Sequence, residues 1–216
     1  MTKFKVLAQF SRQLGCLRRE EHGVAALEFA LILPLMLLMY FGSAELTKGI
    51  LVNRKVTIAA RSLSDLLAQK PNAITDADAT QIFNAAIAVM GTDSAGLKMT
   101  LSSIKFVLKT NSTTQYDAKT MWSVTGSGNS LRACGVLTPD NSTALAPDIT
   151  KVPSGFYTGG GTIVVADVTY TYPSPFNIST PFYSSPGTLT FQRAYFNTPR
   201  ILTSLAYSGS NATQCP

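Results

Sequence analysis

From Val24 to Gly42 the chain is apolar except for one residue, Glu28. At about 1.5 Å per helical residue, that run covers the roughly 30 Å of hydrocarbon in a bilayer. Its flanks favour a membrane span over a buried core helix. Lys3, Lys5, Arg12, Arg18 and Arg19 precede it, opposed only by Glu20 and Glu21. Basic residues beside an apolar span keep that side in the cytoplasm. Residues 1–23 therefore read as a basic cytoplasmic leader and 24–42 as the transmembrane segment. Everything after the span is on the exported side. Glu28 stands out, because a carboxylate in or near hydrocarbon is costly unless it has a partner.

Helical periodicity does not stop at Gly42. Val52, Val56, Ala59, Leu63, Leu66 and Leu67 recur at 3.6-residue spacing, with Lys48, Arg54, Lys55, Arg61 and Asp65 mostly off that stripe. The pattern predicts one helix over 24–70, ended by Pro71, with 43–70 as an amphipathic continuation of the span. Pro34 should kink or locally open it, and Gly42 and Gly49 are further weak points. A second helix is predicted over 75–91, capped by Thr75 or Asp76, with Ile82, Phe83, Ala86, Ile87 and Met90 on its apolar face. The Asp76-Ala-Asp78 spacing suits helix capping better than calcium, since the further oxygen ligands of an EF-hand loop are missing.

The rest reads as β-structure. Residues 97–109 alternate, with an apolar phase that shifts at Ser102-Ser103 and suggests a bulge or bend. Strands are predicted near 117–125, over 162–172 and over 187–197, the last with Leu189, Phe191 and Tyr195 on one face. Residues 126–160 are rich in Gly, Ser, Pro and Asn and read mostly as loop. Pro173, Pro175, Pro181 and Pro186 mark an irregular crossing, and the tail from 203 is weakly patterned. The expected fold is α+β: a long N-terminal helix, a short second helix, and an antiparallel sheet of about four strands in an exported domain over 71–216.

Composition excludes several function classes. The formal charge is +6, but half of it sits in the leader, so the basicity describes topology and not a nucleic-acid face. The single histidine, His22, belongs to the leader, there is no CxxC, and no metal-ligand spacing occurs. Nucleophile-elbow, P-loop, dinucleotide and HExxH motifs are missing. Gly159-Gly160-Gly161 precedes a strand, so it lacks the helix N-terminus that would hold a phosphate. No catalytic residue, cofactor, metal or small-molecule substrate is expected. Asn111, Asn141, Asn177 and Asn211 head Asn-x-Ser/Thr triplets that read as chance. Leader residues Phe4, Leu7, Phe10, Leu14 and Leu17 recur at helical spacing, which fits either a surface-lying helix or a disordered tail. Of three cysteines, Cys16 is on the reducing side. Cys134 and Cys215 are exported, where a disulfide between them can persist, with intermolecular pairing through Cys215 as the alternative.

Gly23, four residues, then Glu28-Phe29 and an apolar run resembles the prepilin-peptidase site of type IV pilins. The stretch GVAALEFALILPLMLL is similar to the start of TadE/TadG-like proteins, minor pseudopilins of bacterial Tad (Flp) pili. Arg18, Arg19, Gly23, Glu28, Phe29 and Pro34 carry the likeness. A looser one lies in Val168 to Pro173 and in Gly187 to Arg193 or Arg200, and 92–160 matches nothing. The resemblance implies a pilin-like lollipop in the bacterial inner membrane, cut by a prepilin peptidase between Gly23 and Val24. It implies assembly by helix packing with other pilins, pseudopilins and Tad pilus assembly proteins, with Glu28 meeting a neighbour's new amine. Two other readings stand beside it. One is a signal-anchored binding or adhesin protein. The other is a secreted enzyme whose signal peptide is cut before Glu45, with Gly42 and Ala44 as the small residues.

Overall fold

A computed structural model describes residues 22–110, 112–126, 128–140, 148–158, 160–173 and 188–216. Most of the leader with Cys16, the triplets at Asn111, Asn141 and Asn177, and the Pro-rich crossing lie outside those residues. Two compact units emerge, Met1–Lys48 and Gly49–Pro216. Helix α1, His22–Ala68, contributes to both and is continuous through Pro34.

In the first unit every residue from Val24 to Ala44 is exposed, with Leu31 at 73% and Leu38 at 70%. A helix of a water-soluble domain hides an apolar stripe, whereas this one shows apolar side chains all round, as a helix solvated by lipid does. Its length and composition suffice for one membrane crossing, which is compatible with a single-pass anchor.

The second unit begins with the amphipathic end of α1. Val52, Val56, Ala59, Leu63 and Leu67 are buried there, while Leu66 turns outward. Helix α2, Asp76–Met90, is capped by Thr75 in a reciprocal capping box with Asp78, and its Ile82, Phe83, Ala86 and Met90 enter the core. Ile87, predicted on that face, is 41% exposed.

Among the described residues seven strands follow: β1 Leu97–Leu108, β2 Tyr116–Thr125, β3 Val136–Asp140, β4 Lys151–Pro153, β5 Gly161–Pro173, β6 Thr188–Asn197 and β7 Thr213–Gln214. They form one sheet in the order β4-β3-β2-β1-β5-β6, with β7 beside β2. This corrects the expectation of about four antiparallel strands, because the sheet is larger and β3 pairs with β4 in parallel. The additional strands β3, β4 and β7 are short, and β3 and β4 hold Pro139 and Pro153. Local composition disfavours them, so only pairing with a neighbour makes them strands.

A bulge does lie at Ser102-Ser103 as predicted, but its extra residue is not on β1. Strand β1 keeps unbroken register with β5 from Leu97 to Phe106. The irregularity belongs to β2, where Ser103 faces Trp122 but Ile104 faces Thr120, leaving Met121 extra. Along β1 the apolar residues change face because the covering layer changes. Leu97, Met99 and Leu101 join the core that includes the two helices, while Ile104 and Phe106 meet Leu137, Val152, Ile163 and Val165 in a second core on the opposite face. Strand β5 serves both, sending Val164, Ala166, Val168, Tyr170 and Tyr172 one way and Ile163 and Val165 the other. Gly126 lets the turn after β2 sit on α2, since a Cβ there would stand 2.7 Å from the Phe83 ring.

Candidate functional site

The residues singled out by the sequence fall into two sets. In the first unit, Gly23 and Val24 lie at the head of the described part of α1. Val24 is 56% exposed, and Glu28 stands one turn further along the same face. Phe29 is 61% exposed, and Pro34 lies more than a turn beyond. An amine created at Val24 would therefore share a helix face with Glu28. Glu45 was noticed in the sequence only as the flank of a rival cut. It is 8% exposed, and neither carboxylate oxygen has a hydrogen-bond partner. Its signal was the one the argument used for Glu28, an acidic residue on the long helix.

In the second unit, Cys134 and Cys215 are joined in a disulfide with 5.3 Å between their Cα atoms and a sequence separation of 81. The bond ties the tail to the loop after β2. Next to it, β7 pairs with Trp122 and Ser123, and the Cys215 N–H donates to the Met121 carbonyl at 2.8 Å. The tail, weakly patterned in sequence, is held along its length. The Trp122 indole N–H donates to the Leu205 carbonyl at 2.7 Å, and Tyr207 packs on the Trp122 ring. Asp76 takes the Tyr207 hydroxyl and the N–H groups of Ser210 and Asn211. Those donors, the hydroxyl first, hold the Asp76 carboxyl down to about 2. Capping of α2 itself falls to Thr75 and Asp78, so Asp76 serves the tail.

Gly209 is where this strap passes closest to α2. A Cβ there would run into the Asp76 carboxylate and the Tyr207 ring. Gly209→Ala is therefore expected to destabilise the second unit by about 2 kcal/mol, as overpacking does, read from urea unfolding followed by Trp122 fluorescence. A variant as stable as the parent would mean that the strap shifts freely.

The loop carrying Cys134 has a second anchor that the sequence reading missed. Arg132 is fully buried. Its Nε and Nη2 donate to the two carboxylate oxygens of Asp167 at 2.8 and 2.9 Å, and its Nη1 donates to the carbonyls of Ile149 and Lys151. Arg132 also donates its backbone N–H to Ser123 Oγ, itself 2.9 Å from Ser102 Oγ. One side chain thus joins the loop, β5 and the start of β4. Burial pushes the Asp167 carboxyl up from its ordinary value, and Arg132 pulls against that. The only hint in the sequence was Asp167 interrupting an otherwise apolar strand. Among the described residues, no group of three His, Cys, Asp or Glu side chains is placed to hold a metal ion.

Residues 23–63 match the family model described as TadE-like protein. The N-terminal helix is TadE-like. The matched stretch begins at Gly23, includes Glu28, Phe29 and Pro34, and ends in the second unit at Leu63. Residues 64–216, which include every described strand and the disulfide, lie beyond it. No curated protein and no solved structure matches the chain.

Proposed function

We propose that this chain is a minor pseudopilin, a pilus assembly protein of the Tad (Flp) type. It is held in the bacterial inner membrane by the first part of α1 and presents an α+β domain in the periplasm. The observation that carries this reading is the Gly23-x4-Glu28-Phe29 motif at the head of an all-round apolar TadE-like helix. Such a helix has nothing to turn over. Its work is to pack against other helices, and the domain's disulfide suits an oxidising compartment.

In this reading a prepilin peptidase cuts between Gly23 and Val24. Glycine offers no side chain to exclude from a narrow site, and the cut leaves the apolar helix attached. The new α-amine at Val24, with an ordinary pKa of about 8, is positively charged at neutral pH. Paired with the Glu28 carboxylate of a neighbouring subunit, it offsets the cost of an acid in an apolar bundle. The partners are other pilins and pseudopilins, Tad assembly proteins and the peptidase.

N-terminal sequencing of the membrane-extracted protein tests the reading and should begin Val-Ala-Ala-Leu-Glu. A start at Glu45 would mean signal-peptidase cleavage and overturn it, while an intact Met1 would favour a plain signal anchor or an unprocessed member of the same family. In the same preparation, Glu28→Leu should insert at least as well as the parent, because it makes the span more apolar, yet lose its pilus partners in a pulldown. Undiminished recovery of those partners would remove the pairing role of Glu28.

A further inference from the structure

The two outer edges of the sheet differ. At one end β4 has three residues, bears Lys151 and finishes at Pro153, three devices that keep an edge from accepting another strand. At the other end β6 has ten residues in unbroken register with β5, no proline, no lysine and no bulge. Its one charged residue, Arg193, is turned onto α1, with Nη2 donating to Asn53 Oδ1 at 2.6 Å and Nε to Thr57, while Nη1 donates to the Gln192 carbonyl of its own strand. Among the described residues nothing pairs with the outer side of β6. A long, regular edge is a template for a further strand.

Chemistry beside that edge selects what would fit. A cleft of about 340 Å³ opens between α1 and the end of β6, lined by Arg61, Ser64, Asp65, Tyr195 and Asn197. Arg61 is held in place, its Nε donating to the Tyr195 hydroxyl at 2.6 Å and its guanidinium 4.9 Å from the ring centre. Neither Arg61 nor Arg193 has a carboxylate partner among the described residues. The nearby acid, Asp65, is taken by Arg200 and Gln69. Ser64 is 2% exposed, and its hydroxyl has no hydrogen-bond partner. The edge therefore ends in a cleft with a pre-oriented guanidinium that has no carboxylate partner among the described residues, which suits a carboxylate.

We infer that the β6 edge is a docking site for an extended acidic segment of a partner protein. The segment adds as a strand along Thr188–Asn197 and sets an Asp or Glu carboxylate on Arg61 in the cleft. Main-chain hydrogen bonds supply the attachment, and the carboxylate supplies the choice of partner. The inference rests on Gly49–Pro216 and does not depend on the pilus reading.

The full chain in detergent micelles is titrated into fluorescent acetyl-Thr-Val-Thr-Glu-Thr-Val-Thr-amide, with binding read by anisotropy. The Glu probe should bind about fivefold more tightly than its Gln counterpart, the upper end for a partly exposed ion pair. Arg61 is exposed, so Arg61→Gln should fold as the parent does by circular dichroism and erase that preference. Two further Glu probes carry N-methyl groups on alternate residues, one on each set. Strand addition uses one set of N–H groups, so one of these should bind and the other fail, with no change to the protein. Absence of binding, equal binding of the Glu and Gln probes, a preference that survives in Arg61→Gln, or equal binding of the two methylated probes would overturn the proposal.

Discussion

Arg132→Leu is expected to cost the second unit about 3–5 kcal/mol, a fall of roughly 10 °C in melting temperature. The arginine is fully buried and its partner Asp167 is 1% exposed. Removing one charge strands the other in a medium that cannot solvate it, and the Ile149 and Lys151 carbonyls lose their donor as well. The double variant Arg132→Leu/Asp167→Leu should recover much of the loss, because burying two apolar groups is close to neutral against a buried ion pair. Trp122, the one tryptophan and 2% exposed, is the natural fluorescence probe.

The pH dependence of the single variant separates this cause from simple loss of packing. Burial pushes the Asp167 carboxyl up, and Arg132 is the group that opposes the push. Without Arg132 the folded-state pKa lies well above the unfolded value of about 3.9. A raised folded pKa contributes stability that is present below the unfolded value and is lost as pH rises towards the folded one. Arg132→Leu should therefore melt higher at pH 5 than at pH 8, with a much smaller difference in the parent. Asp76, Asp78 and Asp148 are held down to about 2, so they release stability only as pH falls below their ordinary value of 3.8, outside this window. The one histidine, His22, lies in the first unit. No pH difference in the variant would mean that a stranded carboxylate is not what destabilises it.

Cys215→Ser is expected to lower stability by about 4 kcal/mol in the chain-entropy account of a bond that closes 81 residues. With an m-value of about 2 kcal/mol/M, the urea midpoint should drop by about 2 M, and reductant should do the same to the parent. The tail has other anchors at Trp122 and Asp76, so an unchanged midpoint would show that they suffice without the crosslink. Non-reducing peptide mapping of the monomer band should yield a Cys134–Cys215 linked peptide. Free thiols at both positions would remove the disulfide from the account.

What could be read along the chain was what repeats along the chain. The amphipathic end of α1, helix α2, and strands β1, β2, β5 and β6 came out within a few residues of their predicted bounds, because period 3.6 and period 2 are local signals. The apolar run from Val24 to Gly42 was equally legible, since its length and composition, which suffice for a membrane crossing, are local properties of the chain. Compartment made Cys134 and Cys215 a candidate pair and left intermolecular pairing open; the 5.3 Å between their Cα atoms selects the bond within the chain.

Three features were decided by tertiary structure. The apolar phase of β1 changed because two layers cover opposite faces of one sheet, and nothing within twelve residues of β1 says which layer lies over which half. Residues 136–140 and 151–153 became strands only because a neighbour's unpaired backbone groups gave their own somewhere to go, against a composition that favours loop. Arg132 and Asp167 are 35 residues apart in sequence, and a polar residue in a loop or strand reads as exposed until the fold removes its water. Period and composition are properties of neighbours along the chain, whereas burial and pairing belong to neighbours in space.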